Sequence, residues 1–286
     1  MEGEVLSMRI RLMQRDDLEF AMDLTSAEGW MSTMLDFEEI LLHDPQGSFV
    51  GEVNGQDVGM VCTVPYDSFG FIGNLIVLPE WRGRQYGEAL MVHAMQYLRG
   101  LGVKTHMLDG VEMAIPLYER LGFEKIAKSL RLEGRLVGEK MDGIRPIMHR
   151  DLKSLTEFDS LCFGCSRCVF LETRLESFPE LCMLAEDEGR ILGYIMGSRS
   201  GDITRIGPWV VGEGNETAEK LLSSFGEAAE GSLLRIGVLE TSVTARDLLR
   251  REDFREISFS WRMSTDPAQE WSCSTHLFAI CSPARG

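Results

Sequence analysis

Long-range self-similarity limits what this chain can fold into more than any other feature of its sequence. Four segments recur in the same order in the second half, namely 10–18, 55–59, 72–77 and 114–123 at 144–152, 189–193, 206–211 and 245–254. The first three pairs are 134 residues apart and the fourth is 131 apart, which indicates a short deletion in the second copy. A period this long is too large for a solenoid and indicates two copies of one domain.

The seam between the two copies falls in a glycine-rich stretch. Gly134, Gly138 and Gly143 interrupt any periodic pattern there. We therefore expect an N-terminal domain over residues 1–137 and a C-terminal domain over residues 138–286. The length of 286 residues agrees with two domains at about 150 residues each.

Within the first copy the pattern predicts the order β, α, α, β, β, β, α, β, α, β. Asp16 and Asp36 are placed as N-caps of the first two helices. The pair Asn54-Gly55 between two apolar runs predicts a hairpin with a type I′ turn. The fold class that follows is mixed α/β.

Charge and composition exclude several classes of protein. The chain carries 29 Lys and Arg against 45 Asp and Glu, a net charge of −16. We therefore expect neither a nucleic-acid nor a membrane partner, and an acidic field mildly favours an amine ligand. The opening residues 1–5 have no leader pattern, and an odd count of seven Cys fits reduced thiols, so we expect a cytoplasmic protein.

The segment 77–90 is the most informative stretch of the chain. An apolar strand ends, a glycine-bearing turn with Arg82 and Arg84 follows, and a helix begins. Such a turn directs backbone N–H groups and the positive end of a helix toward one point, which suits a pyrophosphate. The alternative is a surface turn with two solvated arginines.

Two motifs together resemble those of a known family. The stretch 82–87 is similar to the acyl-CoA signature Arg/Gln-x-x-Gly-x-Gly/Ala of the GNAT superfamily of N-acetyltransferases, and 114–123 is similar to that family's second motif. The whole chain looks most like the subgroup with two fused GNAT domains. The resemblance implies two tandem GNAT folds, each a mixed, mostly antiparallel twisted sheet splayed between its fourth and fifth strands and flanked by helices.

The resemblance also implies an acetyl-CoA site in the first domain, with acetyl-CoA as acyl donor and no metal. One position departs from the signature, because Gln85 stands where the family has Gly. The residues to which the cofactor-binding role carries over are Leu75, Ile76, Val77, Arg82, Gly83, Arg84, Gln85, Tyr86, Gly87 and Glu88.

In the family the amine attacks the thioester directly in a ternary complex, and a backbone N–H polarises the carbonyl. Tyr118 matches the tyrosine that protonates the departing thiolate, although a core aromatic is the alternative. The fourth strand has no carboxylate to act as general base. Asp109 is the best candidate for that role, and capping of the next helix is an equal alternative for it.

The sequence does not identify the acceptor. By elimination we expect a small-molecule amine, and a homodimer is left open. Four residues lie on elements that line the acceptor pocket in this fold: Trp30, Asp36, Tyr66 and Asn74. The alternative function is a non-catalytic acyl-CoA-binding sensor.

The second copy differs from the first in both motifs, at the loop and at the tyrosine. Its signature loop, 211–217, carries Glu213 and Glu216 and no arginine, and Leu249 replaces Tyr118. We expect this domain not to bind CoA, because like charges repel a pyrophosphate. It would then support the fold, close the acceptor pocket or mediate oligomerisation.

A cysteine motif in the second copy offers a third hypothesis. Cys162, Cys165 and Cys168 form C-x-x-C-x-x-C, which is compatible with a metal or iron–sulfur site. No fourth Cys follows at a suitable spacing. Buried structural cysteines are the favoured interpretation.

Overall fold

The computed structural model describes residues 7–212, 214–268 and 276–286. The opening segment 1–5 and Glu213, both used in the sequence interpretation, lie outside the described residues.

The first half follows the predicted order of strands and helices. Its elements are β1 (Arg9–Leu12), α1 (Leu18–Ala27), α2 (Met34–His43), β2 (Ser48–Val53), β3 (Gln56–Pro65), β4 (Gly70–Val77), α3 (Tyr86–Gly100), β5 (His106–Gly110), α4 (Ile115–Arg120) and β6 (Glu124–Gly134).

The second half repeats this order and then adds one short strand. Its elements are β7 (Ile144–Pro146), α5 (Leu152–Phe163), α6 (Cys168–Ser177), β8 (Cys182–Asp187), β9 (Arg190–Ser200), β10 (Ile203–Val211), α7 (Asn215–Ala228), β11 (Leu233–Leu239), α8 (Val243–Arg251), β12 (Arg255–Ser264) and β13 (Leu277–Ala279).

All thirteen strands found among the described residues belong to one continuous sheet, in which the two halves exchange their last strands. The order is β1-β2-β3-β4-β5-β12-β6-β11-β10-β9-β8-β7, and β13 pairs with β10. β12, which closes the second copy, lies between β5 and β6 of the first copy. β6 in turn pairs with β11 of the second copy. The division at 137/138 stays a prediction about the sequence, because in space each half contains a strand of the other.

Two helical layers cover this sheet. On one face α3 packs on the first half and α7 and α8 on the second, and each half has a separate core there. On the other face α1, α2, α5 and α6 share one core that spans both halves. In that shared core the ring of His43 in α2 stacks on Phe170 in α6, with 5.0 Å between centroids. The halves are therefore joined by packing as well as by strand exchange.

Local sequence signals account for the turns around the first cleft. Asn54 and Gly55 both have positive φ, 52° and 78°, as the predicted hairpin turn requires. The expected N-caps at Asp16 and Asp36 were wrong, because the residue after Asp16 is the N-cap of α1, and Thr33, three residues before Asp36, is the N-cap of α2. Asp36 completes the capping box instead, since its carboxylate accepts from the Thr33 backbone N–H at 2.7 Å.

None of the helices that the structure describes combines the length and the apolar character needed to cross a membrane.

Candidate active site

A cleft opens in the first half where β4 and β5 diverge. The two strands pair in parallel from Gly70 and His106 only as far as Ile72 and Leu108. Beyond that point β4 carries a bulge, with Asn74 at a φ of 51° and a shift of register against β3. Because the ladder has ended, backbone groups of β4 face the cleft instead of another strand.

The matching cleft of the second half is filled by the chain itself. β10 and β11 pair only as far as Ile206 and Ile236. β13 then runs antiparallel to β10, with Ala279 opposite Trp209, and the Ile280 N–H donates to the carbonyl of Gly237 at 3.0 Å. The space between these strands is therefore occupied by protein backbone.

The open cleft of the first half leads into a cavity of about 490 Å³. Its walls come from both halves. They include β4 from Ile72 to Val77, the α1–α2 loop, the start of α3 and parts of β5, β6, β10, β11 and β12, and residues 280–285. This volume is typical of a small-molecule site.

The predicted CoA loop lies at one mouth of this cavity. Arg82 and Gly87 line it, as do Leu75, Ile76 and Val77 of β4. The first backbone N–H groups of α3 have no partner within the helix and supply positive potential there. The guanidinium of Arg82 donates to the Val77 carbonyl at 2.8 Å and forms an ion pair with Glu28.

The rest of the loop holds its shape through one cation–π contact and two left-handed residues. Arg84 lies over the ring of Trp81, 4.8 Å from its centroid. Gly83 and Gln85 have φ values of 76° and 65°. Glycine adopts this region without cost, whereas an L side chain is strained in it. The position where the signature has Gly is therefore one where Gly is the better residue.

Tyr118 of α4 is buried at the wall of the cavity, beside the end of β5. A Cβ added to Gly110 would lie 2.7 Å from its ring, so the glycine makes room for the tyrosine. Burial raises the pKa of the Tyr118 hydroxyl, which therefore stays protonated at neutral pH. A neutral phenol at this position can donate a proton or a hydrogen bond.

Asp109 lies on β5 beside the cavity, with a fully buried carboxylate. It pairs with Arg262 of the exchanged strand β12, and Arg131 lies 3.5 Å away. Burial alone would raise the pKa of this carboxyl, but Arg262 and Arg131 outweigh burial and lower it. The N-cap of the following 3₁₀ turn is Val111 rather than Asp109. Asp109 therefore holds two arginines in place, and its lowered pKa makes it a weaker base than an ordinary carboxylate.

Three of the four predicted acceptor residues line the cavity: Trp30, Asp36 and Asn74. Asp36 forms ion pairs with Arg205 at 2.8 Å and Arg285 at 2.9 Å. Burial would raise the pKa of this carboxyl, yet the two arginines hold it well below its ordinary range. Asn74 also hydrogen-bonds the Cys62 thiol, whose pKa burial raises to about 11.

Tyr66, the fourth, is buried behind the cavity and anchors the segment that closes it. Its hydroxyl donates to the Arg285 carbonyl at 2.7 Å. The Arg285 guanidinium bonds Asp36 and pairs with Glu39. Residues 280–286, called the closing segment below, also touch β4, since a Cβ on Gly73 would lie 2.5 Å from the Ala284 carbonyl oxygen.

The sequence named closure of the acceptor pocket as one of three roles for the second half, but it identified none of the residues that line this cavity from that half. Arg205, Arg235, Ser258 and Ser260 line it together with the closing segment. Only the alignment of the two repeats could have pointed to these residues. That alignment carries no information on strand exchange.

The three cysteines of the C-x-x-C-x-x-C motif lie at the end of α5, in the loop that follows it and at the start of α6. Cys162 and Cys165 are buried, and the sulfur of Cys165 lies 2.9 Å from the Ser68 hydroxyl. Within the described residues no group of three or more His, Cys, Asp or Glu side chains is placed to hold a metal ion.

Each half has a pair of parallel strands that diverge, with the N-terminus of a helix beside them. This arrangement is typical of transferases that use acyl-CoA. Residues 12–123 match the model of the acetyltransferase (GNAT) family, and residues 155–279 match a model of the acetyltransferase (GNAT) domain. The chain belongs to the GNAT acetyltransferase family, whose members use acyl-CoA as substrate, and it carries two such domains in tandem.

Individual relatives agree with this assignment. A holothin acyltransferase of Pseudoalteromonas sp. is 25% identical over 243 residues, covering 83% of this chain and 81% of the relative. An acetyltransferase of Pectobacterium atrosepticum is 32% identical over 141 residues, covering 46% of this chain and 99% of the relative. The crystal structure of a putative acetyltransferase from Pyrococcus horikoshii superposes with a TM-score of 0.81 at 22% identity, covering 100% of this chain and 97% of that one, which shows the shared fold.

Proposed function

We propose that this protein is an acetyl-CoA-dependent N-acetyltransferase of a small-molecule amine, with its catalytic site in the first half. The open cleft between β4 and β5, with the N-terminus of α3 at its mouth, carries the proposal. The closing segment and the α1–α2 loop roof the cavity, which favours a small acceptor over a protein chain. Acyl-CoA use is a property of the family, and the acetyl donor and amine acceptor are our inference.

In this proposal the backbone of the cleft stabilises negative charge on the thioester oxygen. The amine nitrogen attacks the thioester carbon, a C–N bond forms and the electron pair of the carbonyl moves onto oxygen. An N–H group of the β4 bulge, near Asn74 and Leu75, is free of strand pairing and donates to that oxygen. A fixed donor in a cleft shielded from water stabilises such an oxyanion effectively.

Collapse of the intermediate breaks the C–S bond, and the sulfur of CoA leaves with the electron pair. Tyr118 donates its phenolic proton to that sulfur, and the proton released by the attacking amine restores the phenol by way of water. Its raised pKa keeps the donor loaded before each turnover. No side chain is assigned as general base, because Asp109 is committed to Arg262 and Arg131.

We assign the second half a supporting role. Its own cleft holds β13, and its residues complete the acceptor chamber of the first half. A tandem chain would then bind one acyl-CoA rather than two.

Calorimetric titration with acetyl-CoA, followed by a thiol-release assay with a panel of amines, tests this function. We expect one site per chain and amine-dependent release of CoA. Binding without release by any amine would indicate the sensor function instead. Absence of binding at millimolar acetyl-CoA would reject both.

A further inference from the structure

The inner end of the cavity is basic in a protein whose net charge is −16. Three arginines reach the cavity wall from β6, β10 and β11, namely Arg131, Arg205 and Arg235. Their side chains keep 20%, 22% and 34% of their surface exposed. We call these three residues the arginine cluster. A local reversal of the overall charge points to a ligand requirement rather than to composition.

Two members of the cluster are direct neighbours across the sheet. Arg205 of β10 is the register partner of Arg235 of β11. Neighbouring strands lie about 4.8 Å apart, so two guanidinium groups project side by side from one face. Like charges placed in this way repel each other and destabilise a sheet unless something compensates them.

The carboxylates around the chamber compensate only part of this charge. Arg205 pairs with Asp36 at 2.8 Å and Arg235 with Glu133 at 2.6 Å. Three of the chamber's carboxylates are each shared between two arginines: Asp36 by Arg205 and Arg285, Glu39 by Arg174 and Arg285, and Asp109 by Arg131 and Arg262. Guanidinium groups therefore outnumber carboxylates at this wall.

Neighbouring contacts hold the guanidinium groups in place. Arg205 donates to the Ser198 hydroxyl at 3.2 Å and to the Met31 carbonyl at 3.1 Å. The guanidinium of Arg235 contacts the Met31 sulfur, and Arg131 donates to the Ser260 hydroxyl at 3.0 Å. A fixed guanidinium fork recognises carboxylate or phosphate at a low entropic cost.

We propose that the acceptor amine carries an anionic group, a carboxylate or a phosphate, that binds to Arg205 and Arg235 with Arg131 beside them. The inference rests on the proposed acetyltransferase function and names the substrate class of the same site. It narrows the expectation from overall charge, since the ligand is still an amine but the three arginines favour one that also carries an anionic group. The anion fixes the molecule at the far wall, and the amine points toward the cleft between β4 and β5.

Matched ligand pairs test this proposal by binding rather than by turnover. The full-length protein, saturated with CoA so that its phosphate-binding turn is occupied, is titrated calorimetrically with O-phosphoethanolamine against ethanolamine, and with β-alanine against β-alaninamide. In at least one pair we expect the member with the anionic group to bind at least tenfold more tightly. The phosphate and carboxylate pairs show which anion the site prefers.

Variants link that preference to the arginine cluster. Arg205→Gln and Arg235→Gln should each bring the affinity ratio of the preferred pair down toward one. Arg235→Lys, which keeps the charge but loses the fork, should retain part of it, and this partly exposed position tolerates the change. Arg250→Gln on the outer surface of α8, where the side chain is 74% exposed, is the matched control and should keep the full ratio.

Thiol release measured on the same pairs separates the two proposals. Preferential binding of the members that carry an anionic group, without acetylation of any amine, would support the anion site and reject the acetyltransferase. Acetylation of both members of each pair with equal affinity would reject the anion site. Failure of both O-phosphoethanolamine and β-alanine to bind, or full preference in both glutamine variants, would also overturn it.

Discussion

The two clefts of this molecule have the same origin and different contents. In the first half the space between β4 and β5 is open and leads to a cavity of about 490 Å³. In the second half the equivalent space between β10 and β11 holds β13, whose backbone pairs with β10. Diverging parallel strands leave unpaired backbone groups. In the second half the chain itself satisfies those groups, and in the first half we propose that the acyl-CoA satisfies them.

The difference also explains how one copy serves the other. The segment that fills the second cleft continues directly into the closing segment, which packs on β4 and Asp36 of the first half. The second half adds Arg205, Arg235 and strand β12 to the same cavity. Duplication has thus produced one open cleft and one filled cleft rather than two equal ones. Five measurements would break or sharpen this comparison.

The largest effect is expected from placing in the first turn of α3 the carboxylate that the first turn of α7 carries. Gly87 is the second residue of α3, and Glu216 is the second residue of α7. Gly87→Glu meets no atom within 3.8 Å of its Cβ, so the fold should persist. Its carboxylate opposes the CoA pyrophosphate, and we expect a loss of affinity for acetyl-CoA of about a thousandfold or more, roughly 4 kcal/mol.

Calorimetry on Gly87→Glu is paired with Thr217→Glu as the control, which adds the same charge to the first turn of α7. The control should bind acetyl-CoA normally. Equal loss in both variants would mean that the second half takes part in CoA binding.

The second prediction concerns the packing of β13, the strand that occupies the second cleft. Phe278 of β13 is buried against Trp209, with 4.9 Å between ring centroids. Phe278→Ala should destabilise the protein by about 3–4 kcal/mol, measured by urea unfolding, because it leaves a cavity in the core. It should not create a second acetyl-CoA site. A loss below about 1 kcal/mol would mean that β13 is peripheral to the fold.

The proposed acid distinguishes the halves at the level of chemistry. Tyr118→Phe should lower kcat for thiol release by about a hundredfold, roughly 2.7 kcal/mol, and leave the Kd for acetyl-CoA nearly unchanged. Leu249→Met at the matching position of the second half should retain full turnover. If Tyr118→Phe kept the wild-type kcat, the tyrosine would serve only in packing.

Acid sensitivity should reside in the first half. His106 starts β5 and is fully buried, whereas Leu233 starts the matching β11. Burial lowers the pKa of His106 from 6.5 to about 4, so the unfolded chain binds a proton first as the pH falls. Stability is therefore lost between pH 6.5 and about 4, by about 2 kcal/mol, and persists above that window. Urea unfolding of His106→Leu should show a flatter pH profile there, and an unchanged profile would assign the loss to other groups.

The smallest effect concerns the turn that leads into each helix. The N-cap of α7 is Gly214 with positive φ, whereas the N-cap of α3 is Gln85 at a φ of 65°. Gln85→Gly removes the backbone strain of the folded state but raises the conformational entropy of the unfolded chain. We expect a net increase of about 0.5 kcal/mol in the free energy of unfolding, measured in urea. Affinity for acetyl-CoA should be equal or tighter. A destabilised Gln85→Gly would show that the glutamine side chain makes a stabilising contact that outweighs its strain.

Local signals predicted what local physics decides. The Asn54-Gly55 turn and the start of a helix after the arginine turn depend on neighbours within a few residues, and the structure has both. Asp109 shows the limit. Its β5 position was predictable, but its two arginine partners come from β6 and from the exchanged strand β12.

The sequence by itself determined that the chain is a duplicated GNAT protein, because the repeat and the two motifs are read along the backbone. Only the tertiary structure decided that the halves exchange strands, that β13 occupies one cleft and that Arg205 and Arg235 face the other. These features join residues far apart in the chain. The hydrophobic pattern of a strand indicates which of its faces is buried. It does not indicate whether β5 pairs with β6 of its own copy or with the equivalent strand β12 of the other.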